Sequence, residues 1–155
     1  MGLDMAKYRR IFLEESADHL GQISRALLDL EKERDSADAI DTIFRMAHSI
    51  KSMAASLGYD AVAELSHRME DRMEGLRDAG HLRGQEELSI LFRSLETLEA
   101  MVAAIEAESD PEPVPPDLLA ALAEPPADEA EPNPADGPQS RAPEPVGGEP
   151  KKVRI

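Results

Sequence analysis

The sequence has no cysteine, no tryptophan and no proline before Pro111. Without cysteine there is no disulfide framework, no thiolate nucleophile and no zinc–thiolate site. That usage agrees with a reducing compartment. Basic side chains are scarce: 17 Lys and Arg stand against 32 Asp and Glu, for a net charge of -15. So acidic a chain lacks the basic footprint that nucleic-acid binding needs and does not suit docking on anionic lipid. It suits solubility and contact with basic protein surfaces. No stretch approaches the ~20 apolar residues of a membrane span. The N-terminus lacks the apolar core of a signal peptide. The expectation is a cytoplasmic protein with neither nucleic acid nor membrane as partner. No alternating, β-branched run reads as a strand. No P-loop or Gly-rich phosphate loop is present, so no nucleotide site and no cofactor are expected in this chain.

What remains is helical periodicity. All 12 prolines lie from Pro111 onward in a chain of 155 residues. A globular part of about 110 residues is long enough to bury a core without disulfides. Asp4 is a good N-cap, and Tyr8, Phe12, Leu20, Ile23, Leu27 and Leu30 then keep helical spacing to about Glu33. Gly21 weakens that pattern, and His19 reads as a surface residue. Asp35-Ser36 offers the next N-cap. The second helix buries Ile40, Ile43, Phe44, Ala47, Ile50, Ala54 and Leu57. Gly58 stops it. Asp60 is expected to cap the third helix, which buries Val62, Leu65, Met69, Met73 and Leu76 and ends at Gly80. His81 follows in a solvated turn. The fourth runs from about Gly84 to Glu108 with a broad apolar face from Leu88 to Ile105. The methionines read as fillers of core gaps. Short connections favour antiparallel neighbours. The predicted fold is all-α: an antiparallel up-down four-helix bundle over residues 1–108.

Residues 109–124 hold a candidate short fifth helix around Leu118, Leu119 and Leu122, too short to stand alone in water. From 125 to 155 the chain is rich in Pro, Ala, Glu and Gly. It reads as a disordered linker. Its last residues, Lys151-Lys152-Val153-Arg154-Ile155, break the acidic pattern and look like the opening of something further.

His48 is the residue with chemical promise. Each residue turns ~100° about a helix axis, which takes His48 off the apolar stripe and points it towards water. Lys51 lies three residues on, where side chains on one helix meet, and Ser52 is too small to crowd the imidazole. An exposed imidazole beside a cation is a plausible nucleophile. If the second and third helices pair antiparallel, His67 and Glu70 can face the strip that carries His48 and Lys51. A carboxylate on one ring nitrogen fixes the tautomer and leaves the other nitrogen's lone pair free. That arrangement suits in-line attack on a phosphoryl group.

The run His48-Ser49-Ile50-Lys51-Ser52 resembles the motif of histidine phosphotransfer (HPt) domains. The wider stretch Ile43 to Lys51, with Leu57-Gly58-Tyr59, His67-Arg68-Met69-Glu70 and the opening Tyr8 to Ser16, is similar to the N-terminal phosphotransfer domain of CheA-type chemotaxis kinases. The resemblance covers about residues 4 to 123. It implies His48 as the phosphorylated histidine, Glu70 as the carboxylate that orients the ring, Lys51 as the basic neighbour of the phosphoryl group, and His67 as a supporting member of the same hydrogen-bond network. It implies ATP bound on a separate kinase catalytic domain, in the same protein or in trans across a dimer. It implies response regulators of the CheY/CheB type as acceptors, and an isolated domain that is monomeric. Ser52-Met53 departs from the glycines usual there; Ser52 stays small, and Met53 points away from His48. No regulator-docking domain is visible between the bundle and the end of the chain. The chain is thus expected to be phosphoacceptor and carrier, unable to use ATP by itself. Three other readings are a stand-alone relay protein, a non-catalytic helical interaction module and a metal–carboxylate bundle enzyme. The last requires Glu-x-x-His on two helices, where this chain has only the reversed His67-x-x-Glu70, so no metal is expected.

Overall fold

The computed structural model describes residues 4–123, and within them every regular element is a helix. Helix α1 spans Met5–Lys32, α2 Ala37–Leu57, α3 Asp60–Ala79, α4 Gln85–Glu106 and α5 Pro116–Ala123. The expectations for the Pro-rich tail lie outside the described residues. Polar caps start the first two helices. The Asp4 carboxylate accepts from the Lys7 backbone N–H, and the Ser36 hydroxyl from that of Ala39. Gly58 and Gly80 end α2 and α3 with φ of 83° and 87°, in the left-handed region where an L side chain is strained. Helices α3 and α4 begin without a side-chain cap: Tyr59, not Asp60, holds the N-cap position of α3, and Gly84 that of α4.

Four long helices pack in a closed ring: α1 on α2, α2 on α3, α3 on α4 and α4 back on α1, with the most extensive seam between α2 and α3. This is the predicted up-down bundle. The apolar stripes read from spacing form its core, with Ile43, Ala47, Ile50 and Ala54 of α2 meeting Leu65, Met69 and Met73 of α3 at zero exposure. Two details differ from expectation. Gly21 does not interrupt α1, because Leu20 and Ile23 beside it are buried and tertiary packing outweighs a propensity cost of about 1 kcal/mol. Tyr8 is exposed rather than core; the first turn of α1 runs past the end of the apolar interior, and Phe12 closes it against the Tyr59 ring at 5.0 Å between centroids.

Eight residues cannot hold a helix alone, yet α5 packs on α3 and α4. Leu118 and Leu122 are buried in the common core, each worth about 1.5–3 kcal/mol relative to exposure. The rest of the attachment is polar. Arg72 of α3 is buried, as is Glu87 of α4, and Arg72 Nε donates to Glu87 Oε2 at 2.9 Å. Arg72 Nη1 also donates to the carbonyls of Ala121 and Leu122, at 3.1 and 2.9 Å. These are among the last α5 carbonyls, which have no partner within their own helix and favour a cation. At the other end Arg93 Nη1 lies 2.8 Å from Asp117 Oδ2 in the first turn of α5. Removing one member of a buried ion pair strands the other, at a cost of about 3–5 kcal/mol. Arg72→Met is therefore expected to lower the unfolding free energy from urea titration by that much, with Glu87→Leu added on top restoring most of the loss. Equal stability of the single variant and the parent would contradict the clamp.

Candidate functional site

The site is built on the α2/α3 seam. The buried faces of both helices fix their register, and that register sets Glu70 of α3 opposite the polar strip of α2. Glu70 neighbours the core residue Met69 and is only 12% exposed, while the His48 side chain remains 55% exposed. Glu70 Oε2 lies 2.6 Å from His48 Nδ1. Lys51 Nζ lies 2.7 Å from the other oxygen, Oε1, as a salt bridge. One carboxylate thus bridges the histidine and the lysine of α2.

Burial is the largest single influence on Glu70 and by itself pushes its carboxyl up. The bonds and charges of Lys51 and His48 together outweigh it and hold the group below its ordinary value of 4.5. The carboxylate is therefore ionised at neutral pH and can only accept. In the neutral ring the proton sits on Nδ1, which donates to Oε2, and the lone pair sits on Nε2. Nε2 is the nitrogen turned away from α3.

The structure brings together three of the four residues singled out from the sequence: His48, Glu70 and Lys51. His67 is a correction. The resemblance implied a place in the network, but its ring is exposed and its Nε2 sits 3.6 Å from Asp71 Oδ2, one turn along its own helix. Three residues of helix turn separate its direction from that of Glu70. Glu70 enters the seam and His67 stays outside it. Lys51 also differs in detail: its ammonium is engaged with Glu70, on the Nδ1 side of the ring.

Two polar features escaped the sequence reading. His19, taken for a surface residue, is only 13% exposed, and its Nε2 lies 3.0 Å from the hydroxyl of Ser49, the residue after His48. The available signal was its position between Ser16 and Ile23, three and four residues away, both buried. The buried Arg72 likewise sits at core spacing, between Met69 and Leu76. Among the described residues no group of three or more His, Asp or Glu side chains is arranged to hold a metal ion. No described helix is long and apolar enough to cross a membrane.

A surface imidazole on a helical bundle, oriented through one nitrogen by an ionised carboxylate and open at the other, has the geometry expected of a histidine phosphotransfer module. The comparison with known proteins agrees with that class. The Hpt domain family model matches residues 7–108, and the chain belongs to that family. It is 37% identical over 103 residues to chemotaxis protein CheA of Bacillus subtilis (strain 168), covering 66% of this chain. With CheA of Salmonella typhimurium it shares 32% over 114 residues, 72% of this chain. The chain spans only 15% and 16% of the length of these two relatives. Its fold is similar to a crystal structure of the phosphorylated P1 domain of CheA3 in complex with CheY6 from R. sphaeroides. The TM-score there is 0.67 at 27% identity, over 75% of this chain and 92% of that one.

The lowered Glu70 pKa has a consequence for stability. A depressed carboxyl contributes stability that is fully present above its unfolded value and is lost as pH falls through the folded one. The Glu70 contribution to the stability difference between the parent and Glu70→Gln should be fully present at about pH 5. It should then shrink as the pH falls below 4.5, the ordinary value of the group. Urea titrations between about pH 5 and 3 measure it; a difference that grows as the pH falls below 4.5 would contradict the assignment.

Proposed function

We propose that this domain carries a phosphoryl group on Nε2 of His48, taking it from ATP and passing it to an aspartate of a response regulator. The observation that supports this most directly is the 2.6 Å contact between His48 Nδ1 and Glu70 Oε2. It keeps the proton on Nδ1 and the nucleophilic pair on Nε2. In the first step that pair attacks the γ-phosphorus of ATP in line, the bond to the bridging oxygen breaks, and its electrons leave with ADP. The Nδ1 proton stays on the ring, and Glu70 stabilises the positive charge that the ring gains. In the second step an aspartate oxygen attacks the phosphorus, and the N–P electrons return to Nε2. The domain is thus a covalent carrier, its imidazole neutral again after each cycle.

The ATP belongs to a separate kinase catalytic domain, in the same protein or across a dimer; the CheA relatives, several times longer than this chain, support that placement. The acceptors are regulators of the CheY/CheB type. The CheA3 domain of similar fold was crystallised with CheY6, which supports a regulator as partner. In this reading the module works in the cytoplasm, and the isolated bundle is a monomer.

The test mixes the chain with a CheA-type catalytic domain and labelled ATP. Acid-labile, alkali-stable label is expected on the parent and none on His48→Gln. Glu70→Gln should take label roughly 10–100-fold more slowly, the effect of losing one hydrogen bond to a charged group. Label that persists in His48→Gln would overturn the site.

A further inference from the structure

We infer that Arg45 is the cation that receives the phosphoryl group, released for that purpose from Asp41; this rests on His48 being the phosphoacceptor. A phosphoryl group on Nε2 needs its charge offset. Lys51 is poorly placed for the task, since its ammonium is paired with Glu70 on the Nδ1 side of the ring. Nε2 points the other way. Helical side chains tilt towards the N-terminus of their own helix. The His48 ring therefore leans over the preceding turn, which carries Phe44 and Arg45. Arg45 is three residues before His48, on the same face of α2. Its side chain is 59% exposed and long enough to swing.

What now holds Arg45 is weak and replaceable. Its Nε donates to Asp41 Oδ2 at 2.8 Å in an i,i+4 pair. Pairs of this exposed kind contribute only a few tenths of a kcal/mol. Asp41 has a second guanidinium in waiting: Arg77 of α3, whose Nε lies 3.8 Å from Oδ1. Arg77 is itself steadied over the Phe44 ring, 4.4 Å from its centroid. When Arg45 turns to a phosphoryl dianion, which its planar fork matches better than a lone carboxylate contact, Arg77 can close on Asp41 and leave no charge stranded. Two arginines thus share one aspartate two turns from His48, with Arg45 the nearer of them, one turn away. Arg45 then acts as a catalytic residue, touching the transferred group, and Asp41 as its competitor in the resting state.

This assignment gives the two members of one ion pair opposite effects, which a merely structural pair would not. Phosphoramidate serves as donor, so that no protein docking is involved, and phosphohistidine formation is followed by phosphorus NMR. Arg45→Gln should slow phosphorylation roughly tenfold, the value of one charged hydrogen bond, with an unchanged thermal midpoint. Arg45→Lys should recover part of the loss. Asp41→Asn should match or exceed the parent rate. An Asp41→Asn rate as low as that of Arg45→Gln would overturn the inference. So would a defect of Arg45→Gln seen with the kinase domain but absent with phosphoramidate. If the parent itself acquires no phosphoryl group on His48 from either donor, the phosphotransfer reading fails before the role of Arg45 is reached.

Discussion

The Glu70 carboxylate is the point on which the site depends. It is mostly buried, so losing its water is costly, and only the two partners from α2 offset that loss. In return it ties α2 to α3 at the level of His48, fixes which ring nitrogen keeps the proton, and spends the charge of Lys51. Everything chemical about the exposed nitrogen follows from this one bridge. A carboxylate at the surface, screened and mobile, would orient the ring far less firmly.

The bundle supplies that bridge through register. Side chains with zero exposure on both sides of the seam leave α2 and α3 little freedom to slide. The glycines at 58 and 80 end both helices sharply in the left-handed conformation, so the pair is pinned at its turns as well. A second ion pair, Arg72–Glu87, lies two residues beyond Glu70 on α3 and faces the opposite side, where it binds the carbonyls that end α5. Helix α3 therefore carries two charged devices of different exposure. The deeply buried one attaches a short helix, and the rim one orients an imidazole that remains exposed.

Much of the fold was legible in the sequence because amphipathic spacing is a local property. The four long helices, the caps at Asp4 and Ser36 and the stops at Gly58 and Gly80 all follow from short windows of chain. The readings that failed concern residues whose neighbours are distant in sequence. Nothing within a few positions of His19 points to Ser49 30 residues away. Likewise, nothing local tells Arg72 that Glu87 and the end of α5 will surround it. His67 failed in the reverse direction: it lies near Glu70 in sequence, but a three-residue step on a helix carries it out of the seam.

The sequence by itself determined the all-helical class and the exposure of His48, because both depend on the 3.6-residue period. With the family resemblance it also singled out Glu70 and Lys51. Only the tertiary structure decided how they are joined. It set Lys51 against Glu70, left His67 outside, placed Arg45 and Arg77 around one aspartate, and seated α5 on its buried arginine. Those choices turn on ångström distances between helices, which are set by the packing of whole faces and not by any one stretch of chain.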